Sequence, residues 1–289
     1  MTAELGRGLA VHLRVFAIHG ATLRVVTLRP QTTARFSTNY FHDTWHILAG
    51  GDGAAIFGRL LWGLAFQRHP GTVVLIDRTH LVPTPFEADP PTPILLVPAG
   101  LTAVEVDTLR ALRQRLRRAP SPPTTIRWHT FGMPAALAAA AAPRHQPWRR
   151  DPAGDVWRDA EHRALRTRER MSKRAGFICY TAPAAILRSH ALAIYRMRTC
   201  VGSSSYHPLA EHSSGHRWGI DGELQLIPHF DDAVSAAVVA RREVLGDRPA
   251  ALVSDDDRQR LYRRTDRALE RLHASRRRDA RGGHDVKRR

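Results

Sequence analysis

A chain of 289 residues, 43% of them hydrophobic, is long enough for one large or two ordinary domains with a proper core, which excludes a wholly disordered polymer. Two cysteines, Cys179 and Cys200, exclude a disulfide framework and fit a reducing, cytoplasmic compartment. The charge is the outlier: 44 basic side chains against 27 acidic give +17, only Lys173 and Lys287 among them are lysine, and a field of that sign attracts nucleic acid, anionic lipid or acidic partners.

From the N-terminus, Leu9–Ile18 and Ala21–Leu28 are apolar-rich runs split by His19-Gly20, which predicts a hairpin. Residues 31–43 are polar and aromatic and read as loop. Thr44–Ala49 reads as a strand, Gly50-Gly51-Asp52-Gly53 as a tight turn, and residues 54–67 as a helix apolar on nearly every face. Thr72–Ile76 is β-branched and suits a central parallel strand, so a β-α-β unit is predicted here. The most apolar stretch, from Ile47 to Phe66, contains Asp52 and Arg59. Each would cost about 3 kcal/mol at a bilayer centre, so a buried helix is expected and no membrane span.

Residues 93–97 read as a further strand and 102–118 as an amphipathic helix, with Leu109, Leu112 and Leu116 on one side and arginines on the other. Thr102 and Glu105 have capping-box spacing. Residues 125–129 suit a strand and 135–142 an alanine-rich helix. The proline-, arginine- and glycine-rich residues 146–155 read as a linker. Beyond it the pattern predicts a basic helix over 156–174, a strand over 176–180, a helix over 181–198, and a His- and Ser-rich loop over 201–216. Asp221-Gly222 between 216–220 and 223–227 is a two-residue hairpin signal. A helix over 231–245 follows, and then a basic helix capped by Ser254.

This order predicts an α/β fold: a Rossmann-like layered domain over 1–145, then a mostly helical α+β domain with a β-hairpin over 156–250, then a basic helix and disordered tail over 251–289. The order of elements in the second half also resembles that of a winged helix, with a recognition helix too short and not basic.

Four constellations are candidates for function. The first is the glycine turn. In a nucleotide-binding βα unit such a turn lets backbone N–H groups approach phosphate at a helix N-terminus, and an acid at the end of the next strand holds ribose hydroxyls. Gly50, Gly51 and Gly53, with Asp77, stand in those places, so residues 44–78 resemble a Rossmann-type fingerprint and imply a nucleotide-type cofactor. Ile56 stands where the third glycine belongs, and Asp52 adds a negative charge. The alternative is that these glycines, with Gly58 and Gly63, serve a turn and close helix–sheet packing.

The second constellation is histidine. His42 and His46 are four apart, and His207, His212 and His216 cluster near Glu211 and Cys200, but neither group has a specific zinc signature. The third is nucleophiles: Cys179 sits in an apolar run and reads as core, and no serine has an elbow motif.

The fourth is arginine. Residues 101–200 hold 19 basic against 7 acidic side chains, and 251–289 hold 13 against 7, while 1–100 hold 8 against 6. Arg258, Arg260, Arg263, Arg264, Arg267 and Arg271, followed by Arg276, Arg277 and Arg278, predict binding of DNA, RNA or another polyanion. Asp266, Glu270 and Asp279 can pair with them, so a solvated helix face is the competing expectation.

Overall fold

The computed structural model describes residues 8–118, 123–141, 164–199, 204–211, 220–246 and 253–285. Its strands are β1 (Leu9–Ile18), β2 (Ala21–Leu28), β3 (Phe36–Phe41), β4 (Thr44–Ala49), β5 (Thr72–Ile76), β6 (Ile94–Pro98), β7 (Thr124–Trp128), β8 (Arg170–Arg174), β9 (Phe177–Ala182), β10 (Ser205–Glu211) and β11 (Ile220–Leu226). Its helices are α1 (Gly51–Ala65), α2 (Val106–Arg117), α3 (Met133–Ala141), α4 (Ala184–Met197), α5 (Phe230–Leu245) and α6 (Asp255–Asp285). The class is mixed α/β. None of the helices among the described residues is long and apolar enough to cross a membrane.

Two mixed sheets form. The larger runs β7-β1-β2-β5-β6-β9-β8 and the smaller β10-β11-β4-β3. The predicted hairpin is present. β1 and β2 pair from Ile18↔Ala21 to Val11↔Leu28, around His19 and Gly20 at φ 48° and 77°, the paired left-handed geometry of a tight two-residue turn.

Alternation decides what each face of the large sheet meets. Val26, Val74, Ile76, Leu96 and Ile178 point to one side, where they join α1, α4 and the inner face of the small sheet in one core. Val25, Val73, Leu75, Leu95 and Phe177 point to the other, under Leu109 and Leu112 of α2. Leu48, on the outer face of the small sheet, meets Phe230 and Val234 of α5. Ala240 and Leu245 of α5 then bury Leu261 of α6. Each fully buried Leu, Ile or Phe of this kind stabilises the fold by about 1.5–3 kcal/mol. α1 needs no polar face because it is enclosed, and it approaches α4 closely at Gly58, where a Cβ would stand 2.7 Å from the Ala191 carbonyl oxygen.

Several expectations are corrected. Residues 44–76 do not form a β-α-β unit within one sheet, because β4 lies in the small sheet and β5 in the large one. The expected turn at 50–53 is the first turn of α1, with Gly50 as its N-cap. Part of the expected loop 31–43 is β3, which pairs with β4. The basic run 170–174 is an edge strand, β8, paired with β9, and not helix. Part of the expected His- and Ser-rich loop is β10. Asp221-Gly222 makes no hairpin turn. Both lie inside β11, which pairs antiparallel with β10 and parallel with β4. Gly222 is there for packing: a Cβ would meet Met171 Sδ at 2.1 Å.

Thr102 does not cap α2, which starts at Val106; its hydroxyl donates to the Thr72 carbonyl at 3.2 Å. Ser254 does cap α6, accepting from the Asp257 amide at 3.2 Å and donating to Asp257 Oδ2 at 3.0 Å. That helix continues to Asp285, through much of the segment expected as tail.

The expected linker at 146–155 lies outside the described residues. Strands from both sides of it, β1–β7 and β8–β11, share both sheets.

Candidate functional site

One polar cluster among the described residues is buried, and none of its contacts is local in sequence. Glu169 enters β8 from a turn in which its amide bonds the Arg166 carbonyl at 2.9 Å. Its side chain is 1% exposed. Tyr180, on β9, is fully buried and donates its hydroxyl to Glu169 Oε1 at 2.5 Å. His190 lies on the apolar stripe of α4 among Ile186, Leu187, Ala191 and Ile194. Its Nε2 is 2.8 Å from Glu169 Oε1, and its Nδ1 is 2.6 Å from Nε2 of His207 on β10.

An ionised Glu169 only accepts, so the His190 nitrogen that faces it, Nε2, donates. The short contact between His190 Nδ1 and His207 Nε2 is bridged by one proton, carried by either ring according to its tautomer.

Burial pushes the Glu169 carboxyl up, but hydrogen bonds from His190 and Tyr180, with the His190 charge, outweigh it and hold the group below its ordinary value. Burial, then the Glu169 charge and hydrogen bond, push the Tyr180 phenol well above its usual range. Burial and the neighbouring His190 push His207 down to about 4. The cluster can hold or pass a proton, and it ties the edge of the large sheet, α4 and the small sheet together.

Sequence reasoning picked out His207 only, for a metal group, and missed Glu169, Tyr180 and His190. A usable signal was present: His190 recurs at helical spacing inside an apolar stripe, where an unpartnered imidazole is costly. The metal reading finds no support in this geometry. His207 Nε2 faces His190, and His212 and His216 lie outside the described residues. His42 sits in a left-handed turn against the Phe41 ring. His46 is 3.7 Å from Glu223 and is pushed down by burial. No group of three ligating side chains suited to a metal occurs among the described residues. Cys179 is buried in β9, and burial pushes its thiol up to about 11, which suits a core residue.

Gly50, Gly51 and Gly53 line a cavity of about 440 Å³ together with Arg35, Arg198, His229 and Asp231. The N-termini of α1, after Gly50, and of α5, after His229, both open on it. A Cβ at Gly53 would stand 2.9 Å from the Arg35 carbonyl oxygen, and one at Gly51 3.1 Å from that of Arg198, so both glycines also serve close packing.

Asp77 is not brought to this cavity. It lines a second one, of about 330 Å³, with Arg14, Arg78, Arg113 and Arg117. The sequence-predicted glycines and acid are therefore parted because β4 and β5 run in different sheets.

On α6, three of the nominated arginines meet acids: Arg258 with Glu87 at 3.4 Å, Arg260 with Asp256 at 3.1 Å, and Arg264 with Glu243. Arg263, Arg267 and Arg271 are exposed at four-residue spacing, on the side away from Leu261, Thr265 and Ala268. Arg276, Arg277 and Arg278 follow within the helix.

Among the described residues these features define a mixed α/β protein with a buried acid–imidazole chain and arginine-bearing cavities. No family model, curated protein or solved structure matches the chain significantly.

Proposed function

We propose that this protein binds nucleic acid, or another phosphate-bearing polyanion, through the exposed arginines of α6. The observation that carries the reading is the stripe Arg263, Arg267 and Arg271, each step advancing about 6 Å along the helix. The ion-paired Arg258 and Arg264 anchor the helix instead, and Asp257, Leu261 and Thr265 seat it. A row of solvent-facing guanidiniums neutralises successive phosphates and releases their counterions. The proposal includes a reducing, cytoplasmic setting, in keeping with the buried free thiol of Cys179.

The test is binding of the full chain to single- and double-stranded DNA and RNA over a salt series. Affinity should fall steeply with salt, and replacing the three arginines by glutamine should remove most of it. Undetectable binding at low salt would end the idea. Substitution is a cleaner test than removing the helix, because Leu261 belongs to the core.

A second reading is a nucleotide-type ligand at Gly50, Gly51 and Gly53, without Asp77. The observation favouring it is the convergence of two helix N-termini with Arg35 and Arg198 on one cavity. Asp52 and Asp231, in the first turns, oppose an anion there. A thermal-shift screen with NAD(P), FAD, S-adenosylmethionine and nucleoside triphosphates tests it. A shift that R198Q abolishes supports this reading, and no shift with any of them rejects it.

A further inference from the structure

We propose that the cavity around Asp77 is a binding site for a small phosphate-bearing ligand with a flat apolar ring, of the size of a mononucleotide. It uses neither the α6 arginines nor the glycine cavity, so it stands or falls separately from both readings above.

Arginines reach this cavity from three elements. Arg14 comes from β1, on the face of the large sheet that carries α2, Arg78 follows β5, and Arg113 and Arg117 lie one turn apart on α2. Asp77 is the only acid lining it among the described residues, and one of its oxygens already accepts the Thr79 amide at 3.0 Å. None of the four arginines makes an ion pair among the described residues. The Nε atom of Arg14 is buried without a hydrogen-bond partner there.

Four arginines lining one cavity with one carboxylate leave an excess of positive charge that water screens only in part. Arg14 also acts on a neighbour. His12, two residues before Arg14 on the same strand, is pushed down by burial and by the charges of Arg29 and Arg14, against the pull of Asp77. A buried N–H donor with no acceptor is costly to leave unmade. A phosphate dianion supplies acceptors and charge together and suits the planar fork of arginine better than a single carboxylate does.

The rest of the cavity selects what the phosphate is attached to. Leu75, Leu116 and Phe177 give it an apolar side, which accepts a ring but not a second charged group. Its volume of about 330 Å³ falls near the lower end of small-ligand cavities, which run from about 300 to 1,000 Å³. Gly176 sits in the β8–β9 turn at φ 84°, a left-handed conformation that favours glycine, and the Arg113 guanidinium lies against it: a Cβ there would stand 2.5 Å from Nη1. The same chemistry could come from a free mononucleotide or from the 5′-phosphate end of a polynucleotide.

Calorimetry on the full chain at low salt tests the proposal, using the four ribonucleoside monophosphates, adenosine, and an oligonucleotide with or without a 5′-phosphate. At least one monophosphate should saturate a single site while adenosine does not bind. R113Q and R14Q should each weaken that binding about tenfold, the value of one charge-assisted hydrogen bond. R263Q/R267Q/R271Q and R198Q should leave it unchanged. If the 5′-phosphorylated oligonucleotide competes and its 5′-hydroxyl counterpart does not, the chain end is the source. If neither competes, the ligand is the free nucleotide.

Arg113 and Arg117 are exposed, so R113Q/R117Q keeps the test decisive should R14Q fail to fold. Absence of saturable binding by every monophosphate overturns the proposal. So does binding indifferent to R113Q/R117Q, or binding lost with R198Q or the α6 substitutions instead.

Discussion

Glu169 Oε1 lies 2.8 Å from His190 Nε2, with both side chains sealed from solvent and joined by no local sequence relationship. Removing one member of such a pair costs more than the pair itself contributes, because the other is left buried without its partner. H190A is expected to destabilise the protein by about 3–5 kcal/mol. E169Q keeps an acceptor for Tyr180 and His190 but loses the charge, and should cost about 2 kcal/mol. Urea denaturation of the two variants checks the order. Equal and small losses, under about 1 kcal/mol, would mean that the chain contributes little to folding.

His207 gives this cluster a pH signature. Its imidazole ordinarily titrates near 6.5 and in the fold near 4. Between those values the unfolded chain holds the proton and the folded chain does not, so unfolding takes up a proton and stability falls as pH falls. The window spans about 2.5 pH units, worth about 3 kcal/mol. Glu169 adds to the trend lower down: its carboxyl is held below its ordinary 4.5, so its contribution is present above 4.5 and lost as pH falls through the folded value. Denaturation midpoints from pH 8 to pH 4 should drop mainly below 6.5, and H207Q should flatten that slope. A wild-type profile level from 7 to 4 would contradict the assignment.

What the sequence made legible follows from which residues bury both sides of an element. β1, β2, β4 and β5 were readable because their apolar runs, or the His19-Gly20 turn between them, are local signals. α5 was readable because its buried positions keep helical spacing. β8 was not: it is an edge strand on which Arg170 and Arg174 share one face and Lys173 is exposed on the other, so its charge imitates a helix face. Asp221-Gly222 imitated a hairpin because glycine has two uses, and here Met171 claims the space of the missing side chain. The glycines at 50–53 did mark a helix N-terminus beside a cavity. Their pairing with Asp77 assumed one sheet where the chain builds two.

Gly58 tests the packing argument with an unusual sign. Replacing an interior helical glycine by alanine ordinarily favours the helix by about 1 kcal/mol. Here the new Cβ would stand 2.7 Å from the Ala191 carbonyl oxygen and 3.0 Å from Tyr195 Cβ, so α1 and α4 must separate. Overpacking of that kind costs about 1–3 kcal/mol, so G58A is expected to be destabilising on balance, with Tm lower by roughly 3 °C. Differential scanning calorimetry decides it. A raised Tm would mean that the two helices are free to give way.

The arginines of α6 divide into two sets that should behave differently in the same experiment. Arg258 and Arg264 face Glu87 and Glu243, so their charge is already matched and little counterion is released when an anion approaches. Q substitutions there should lower stability only slightly, because the pairs are partly exposed, and should leave the salt dependence of polyanion binding nearly intact. Arg263, Arg267 and Arg271 are exposed along one line of the helix. If each neutralises one phosphate of duplex DNA, R263Q/R267Q/R271Q lowers the slope of log affinity against log salt by roughly 3 and leaves Tm unchanged. Fluorescence anisotropy at five or six salt concentrations measures both slopes. Equal changes from the two sets would mean that binding responds to the overall charge of the protein and not to this stripe.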